Sequence, residues 1–217
     1  MLSAKGVEKK YGSMSILKGV DIDIQSGEIV SIIGASGAGK STLLHILGSL
    51  DKPDAGTITL NNQRIDLLKG KQLAAFRNNH IGFIFQFHHL LPEFSAIENV
   101  CIPGWIGGKN KSNTENRAKE LLDYLGLNKK FENKPGQLSG GEQQRVAVAR
   151  ALVNNPSIVL ADEPSGNLDS TNANDLHQLF INLRGEFHQT FLIVTHNQDL
   201  AKKSDRILQM KDGKMEL

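Results

Sequence analysis

The chain has 217 residues, 39% of them hydrophobic and 22% charged, which suits one globular domain whose core needs no covalent staples. Twenty-five basic residues against 23 acidic ones leave a formal charge of +2, a balance that argues against disorder and against a dedicated nucleic-acid binder. The single cysteine, Cys101, excludes an internal disulfide and points to a reducing compartment. The opening Met1-Leu2-Ser3-Ala4-Lys5-Gly6 has no apolar core of secretory type, and no apolar run approaches the roughly 18–20 residues of a spanning helix, so any membrane role is expected to run through a partner.

In chain order, the first buried-strand pattern is Ile29-Val30-Ser31-Ile32-Ile33, short and β-branched. Residues 40–50 follow as a helix, with Leu43, Leu44 and Leu47 at helical spacing. Residues 56–60 alternate as a strand and lead into an Asn61-Asn62 turn. Ile81-Gly82-Phe83-Ile84-Phe85 is a second buried strand. Residues 115–125 set Ala118, Leu121, Leu122 and Leu125 on one helix face, with Gly126 as the stop. Residues 140–153 repeat that pattern with Val146, Ala149, Ala151 and Leu152. Two further buried strands are expected at 158–161 and 191–194, and Asp212-Gly213 reads as a hairpin turn between 207–211 and 214–217. Strand–helix alternation implies an α/β fold with a mostly parallel sheet, and the terminal pieces read as antiparallel elements flanking it. Residues 99–135 lack strand signals and hold a loop, a helix and basic residues. Residues 87–136 are therefore expected to be a helical lobe inserted into a core made of 1–86 and 137–217.

Gly34-Ala35-Ser36-Gly37-Ala38-Gly39-Lys40-Ser41-Thr42 fulfils G-x-x-x-x-G-K-[ST], between a strand pattern and a helix pattern. The glycines let successive backbone N–H groups curl around one anion, and the helix start adds its positive end. Lys40 would bring a point charge to the β- and γ-phosphates, and the Ser41 hydroxyl could ligate Mg²⁺. Downstream, the apolar run 158–161 ends in Asp162-Glu163. Two acids at the edge of a buried strand are costly unless something positive sits there, and Mg²⁺ with ATP would supply it. Asp162 is the expected metal acid and Glu163 the expected general base. Leu138-Ser139-Gly140-Gly141-Glu142 reads locally as a helix start, Ser139 the N-cap and Glu142 completing a capping box, with bare N–H groups on the glycines.

Leu-Ser-Gly-Gly followed about 20 residues later by Asp-Glu resembles the ATP-binding-cassette (ABC) family over essentially the whole chain. The resemblance implies an ATPase with a RecA-like phosphate-loop core, an antiparallel β subdomain and an inserted helical subdomain. It also implies roles for further residues: Tyr11 stacking on adenine, Gln86 touching Mg²⁺ and sensing a membrane partner, Asp169 in a loop that crosses a dimer interface, and His196 contacting the γ-phosphate. Ser139, Gly140 and Gly141 of one copy would close on ATP held by residues 34–42 of another, in a head-to-tail homodimer with C₂ symmetry. His88 and His89 lack metal-ligand spacing and receive no role.

The run Gln86-Phe87-His88-His89-Leu90-Leu91-Pro92, Glu142 after Leu-Ser-Gly-Gly, and Asn167-Leu168-Asp169 resemble one subfamily. It contains the lipoprotein-releasing, macrolide-exporting (MacB-type) and cell-division (FtsE-type) ATPases. The resemblance implies a peripheral subunit on the cytoplasmic face of the inner membrane, working with LolC/LolE-like membrane subunits and powering lipoprotein release. The residues 87–106 are rich in Phe, Leu, Ile, Trp and Pro, and part of the segment is expected to stay exposed to grip a cytoplasmic helix of the membrane subunit. The stretch 104–111 matches no subfamily pattern. A non-transport module that binds ATP without turnover is the alternative from another class, and the intact Glu163 argues against it.

Overall fold

The computed structural model describes residues 1–216; Leu217, the last residue of the expected C-terminal hairpin, lies outside the described residues. The chain runs β1 (Leu2–Tyr11), β2 (Met14–Ile24), β3 (Ile29–Ile33), α1 (Lys40–Leu47), β4 (Ala55–Leu60), β5 (Gln63–Arg64), α2 (Gly70–His80) and β6 (Ile81–Phe85). It continues through α3 (Ala96–Ile106), α4 (Lys111–Tyr124), α5 (Gly140–Leu152), β7 (Ile158–Asp162), α6 (Ser170–Phe187), β8 (Thr190–Val194), α7 (Gln198–Lys202), β9 (Arg206–Lys211) and β10 (Lys214–Glu216).

Six strands form one sheet in the order β10-β9-β3-β8-β7-β6, and β2-β1-β4-β5 form an antiparallel second sheet. The central strands are largely apolar because both faces are covered, with Ser31 in β3 and Thr190 at the start of β8 as buried polar interruptions. In β7 the period of two sends Val159 and Ala161 to one face and Ile158 and Leu160 to the other. The first face packs on the helices, through Ala118 and Leu122 of α4, Val146 and Ala149 of α5 and Phe180 of α6. The second packs on α1 through Leu43, Leu44 and Leu47 and on the antiparallel sheet through Val20, Ile22 and Ile24.

All four expected buried strands are present, and the Asp212-Gly213 turn joins β9 to an antiparallel β10. The expected place of residues 207–211 is corrected. β9 is no antiparallel flank; it pairs parallel with β3, Ser31 opposite Ile207, and so belongs to the central sheet. The helix expected over 40–50 stops at Leu47, because Gly48 lies against the Phe83 ring, where a Cβ would overlap it, and Ser49 turns left-handed at φ 57°. The helix expected from 115 begins at Lys111, where Asn110 caps it by accepting from the Asn113 N–H at 3.1 Å. Its first turn buries only Thr114, so apolar periodicity alone could not find it.

The expected loop before it contains a helix, α3, started by a Ser95–Glu98 capping box and concealed in the sequence by Pro103 and Gly104. Gly104 allows α3 to approach Thr114 of α4. The strands β1 and β2 and the helices α2, α6 and α7 were not anticipated. Among the described residues, no helix is long and apolar enough to cross a membrane.

Candidate active site

The phosphate-loop segment leaves β3 at its C-terminal end and enters α1, whose N-cap, Gly39, sits at φ 103°. Gly34 is required by close approach, since a Cβ there would collide with the Met210 carbonyl oxygen. Gly37, at φ 80°, makes the left-handed turn that an L side chain would strain. Lys40 Nζ folds back over the loop and donates to the carbonyls of Gly34 at 2.9 Å and Ala35 at 3.0 Å. A cleft of about 430 Å³ opens above, lined by Ser36, Gly37 and residues 39–42 together with Ile16, Glu163 and His196.

The second wall comes from the ends of the neighbouring strands. Asp162, the last residue of β7, accepts from Ser41 Oγ at 3.0 Å. Burial pushes its carboxyl above the ordinary value; the Ser41 hydrogen bond, His45 and Lys40 oppose that shift and the neighbouring Glu163 adds to it. Glu163 adopts a left-handed backbone, φ 46°, pinned by its N–H donating to the Val194 carbonyl at 2.8 Å. A non-glycine residue held there costs of order 1 kcal/mol, and such strain gathers at functional sites. The carboxylate Oε2 of Glu163 lies 2.9 Å from His196 Nδ1 and accepts from the His196 backbone N–H at 3.2 Å. His196 itself is 72% exposed, and Glu163 is turned inward at 18%.

The other expected site residues do not line the cleft. Gln86 follows β6 and pairs with Asn167: its Nε2 donates to Asn167 Oδ1 at 3.1 Å, and Asn167 Nδ2 donates to the Gln86 carbonyl at 3.1 Å. Asp169 caps α6, accepting from Asn172 N–H at 2.9 Å and Asn172 Nδ2 at 2.6 Å. Ser139 caps α5 with Glu142 in the expected capping box: Glu142 N–H donates to Ser139 Oγ at 3.3 Å, and Ser139 N–H to Glu142 Oε2 at 2.8 Å. Ser139 and Gly140 are exposed, and neither Gly140 nor Gly141 lines the cleft. Tyr11 ends β1 half-exposed, and its hydroxyl donates to Asp51 Oδ2 at 2.6 Å. Lys9 holds the other oxygen of Asp51 at 2.8 Å and lies 5.1 Å from the Tyr11 ring centre.

The match to the ABC transporter family covers residues 17–166. The chain belongs to the ABC transporter family. The cassette is 61% identical over 213 residues to the lipoprotein-releasing system ATP-binding protein LolD of Cytophaga hutchinsonii, covering 98% of this chain and 97% of the relative. It is 56% identical to the protein of the same description from Bacteroides fragilis, covering 98% and 99%. Among solved structures it resembles dimeric MJ0796, described as a bacterial ABC transporter cassette, with a TM-score of 0.90 and 43% identity over 100% of this chain and 97% of that one. A post-hydrolysis dimeric state of MJ0796 bound to ADP and Pi matches equally, with a TM-score of 0.90 and 42% identity over the same shares. The cassette is an ATP-binding ATPase of this fold.

Sequence reasoning missed several residues that shape the site of the cassette. Gln144 of α5 is buried and donates to the Pro164 carbonyl at 2.8 Å. Arg150, near the other end of α5, donates to the carbonyls of His88 at 2.6 Å and His89 at 2.7 Å. One helix thus grips both the segment after β6 and the segment after β7. Their partners are backbone carbonyls, which carry no side-chain identity, so no sequence signal marked them.

Proposed function

We propose that the cassette is the ATP-hydrolysing subunit of a lipoprotein-releasing transporter, acting as a head-to-tail homodimer on the cytoplasmic face of the inner membrane. The observation that carries this reading is the 61% identity, across nearly the whole of both chains, to a relative described as a lipoprotein-releasing system ATP-binding protein. The cleft supplies the matching chemistry.

ATP phosphates sit on the N–H groups of residues 34–42, and Lys40 exchanges the Gly34 and Ala35 carbonyls for β- and γ-phosphate oxygens. Ser41, Asp162 and Gln86 are hard oxygen donors suited to Mg²⁺, and the carboxyl of Asp162, raised by burial, is one a cation would stabilise in its charged form. When bound, the ion neutralises charge on the β- and γ-phosphates. Glu163 takes a proton from the water that attacks the γ-phosphorus as ADP leaves, and His196 orients that carboxylate and reaches the γ-phosphate. The half-site is completed by Ser139, Gly140 and Gly141 of a second copy, with Asp169 at the shared interface; the exposure of Ser139 and Gly140 supports this. Tyr11 provides the aromatic face for adenine.

The membrane partner would dock at a groove of about 450 Å³ between α2, β6, α3 and α5, which includes Phe85, Ile106 and Arg150. Exposed Phe87, Leu91, Phe94 and Ile106 stand on the same segment, while Ile97, Val100 and Cys101 are buried, so only part of it is free to grip a LolC/LolE-like subunit. Depleting the chain in its own cells tests the reading. Lipoproteins should accumulate in the inner membrane, and wild type but not Glu163→Gln should restore their release. Normal lipoprotein localisation after depletion would refute it.

A further inference from the structure

The Gln86–Asn167 pair fixes which end of the Gln86 amide is engaged by Asn167 and which is left for another partner. A backbone carbonyl can only accept, so the Gln86 carbonyl must meet the NH₂ of Asn167, at 3.1 Å. That turns Asn167 Oδ1 toward the Gln86 side chain, and an amide oxygen can only accept in its turn. Gln86 must therefore present Nε2, at 3.1 Å, and its Oε1 is left on the opposite edge of the amide. Gly166 allows the approach, since a Cβ there would lie 2.9 Å from Gln86 Nε2 and 3.1 Å from its Cδ.

We infer that Asn167 is a positioning residue for the metal step of ATP hydrolysis: it sets the flip of the Gln86 amide so that the oxygen, not the nitrogen, is offered to the divalent cation. Gln86 without that partner could offer either end, and the NH₂ end repels a cation. The inference rests on the reading of Gln86 as a cation ligand. It also gives the loop 165–169 a second task beyond the dimer interface, because movement of that loop would carry the Gln86 amide with it.

Calorimetric titration with ATP, once with Mg²⁺ and once with EDTA, isolates the part of nucleotide affinity that the metal supplies. The protein is the full chain in a Glu163→Gln background, which prevents turnover. Outer-shell partners of this kind tune metal affinity, so Asn167→Ala should cut the Mg²⁺-dependent gain by about three- to tenfold. The EDTA value should stay unchanged, which also reports an intact fold. Asn167→Asp keeps an acceptor for Nε2 but loses the donor and sets a carboxylate against the Gln86 carbonyl, so it should show the same loss. Combining Asn167→Ala with Gln86→Ala should be no worse than Gln86→Ala alone. If Gln86→Ala lowers the gain and Asn167→Ala does not, or if the two losses add, the inference is overturned while the role of Gln86 stands. If Gln86→Ala changes nothing, the cation-ligand reading fails and the inference with it.

Discussion

At the residue scale, Lys40 occupies a prepared position. Its ammonium is held by two carbonyls of its own loop, at 2.9 and 3.0 Å, so in the proposed mechanism it needs little reordering for phosphate oxygens to replace them. Lys40→Ala removes that charge without touching the core. The expected outcome is ATP affinity down by about tenfold or more with the thermal midpoint of the metal-free protein unchanged, measured by calorimetry and thermal melting. The residues of this wall were largely legible in the sequence, because each bears its chemistry in its own side chain: Lys40, Ser41, Asp162, Glu163. The pairing of Glu163 with His196 was not, since the two lie 33 positions apart and meet only where β7 and β8 are neighbours.

At the element scale, α6 carries a buried histidine that no sequence signal separated from the others. His177 is 2% exposed, its Nε2 lies 3.4 Å from Ser165 Oγ, and its Nδ1 has no hydrogen-bond partner among the described residues. Burial pushes it from 6.5 down to about 4, with Lys203 adding to the shift and Asp199 opposing it. The unfolded chain therefore binds the extra proton between those values and the folded chain does not. The stability associated with neutral His177 is fully present above about pH 6.5 and is lost as pH falls toward 4. Between pH 7 and pH 5 urea unfolding should lose roughly 2 kcal/mol in wild type, and His177→Asn should flatten that slope. Among the elements, β3, β6, β7 and β8 are readable because burial on both faces leaves short, mostly apolar runs. α2 buries only Phe76 and shows no face to read. α6, by contrast, sets Leu176, Phe180 and Leu183 at helical spacing, a pattern legible in the sequence. α3 was hidden by Pro103 and Gly104, which serve a close helix crossing that no local rule anticipates.

At the scale of the whole molecule, α5 bridges the two functions proposed for the cassette. Its Gln144 end holds the Pro164 carbonyl beside Asp162 and Glu163, the proposed hydrolytic acids, and its Arg150 end holds the His88 and His89 carbonyls beside the proposed partner groove. A membrane subunit pressing on that groove would push on a helix that also carries Ser139. Leu91→Asp and Phe94→Asp place charges on the exposed apolar side chains at 43% and 36% exposure. Both should abolish co-purification with the membrane subunits while the ATP affinity of the isolated cassette is retained; undiminished association would place the docking surface elsewhere. The arithmetic of length and composition suggested one self-sufficient domain. The cleft instead holds one phosphate loop, one acid pair and no Ser139, and the central claim is that a second copy supplies the rest.

The measurement that tests this most directly is sedimentation of the Glu163→Gln protein with and without ATP. The account expects a monomer without nucleotide and a persistent dimer holding two ATP molecules with it, and turnover below wild type by about 10²-fold or more. Dimerisation should disappear when Ser139→Arg is added. A protein that stays monomeric with ATP bound, or that hydrolyses as fast as wild type, would contradict it.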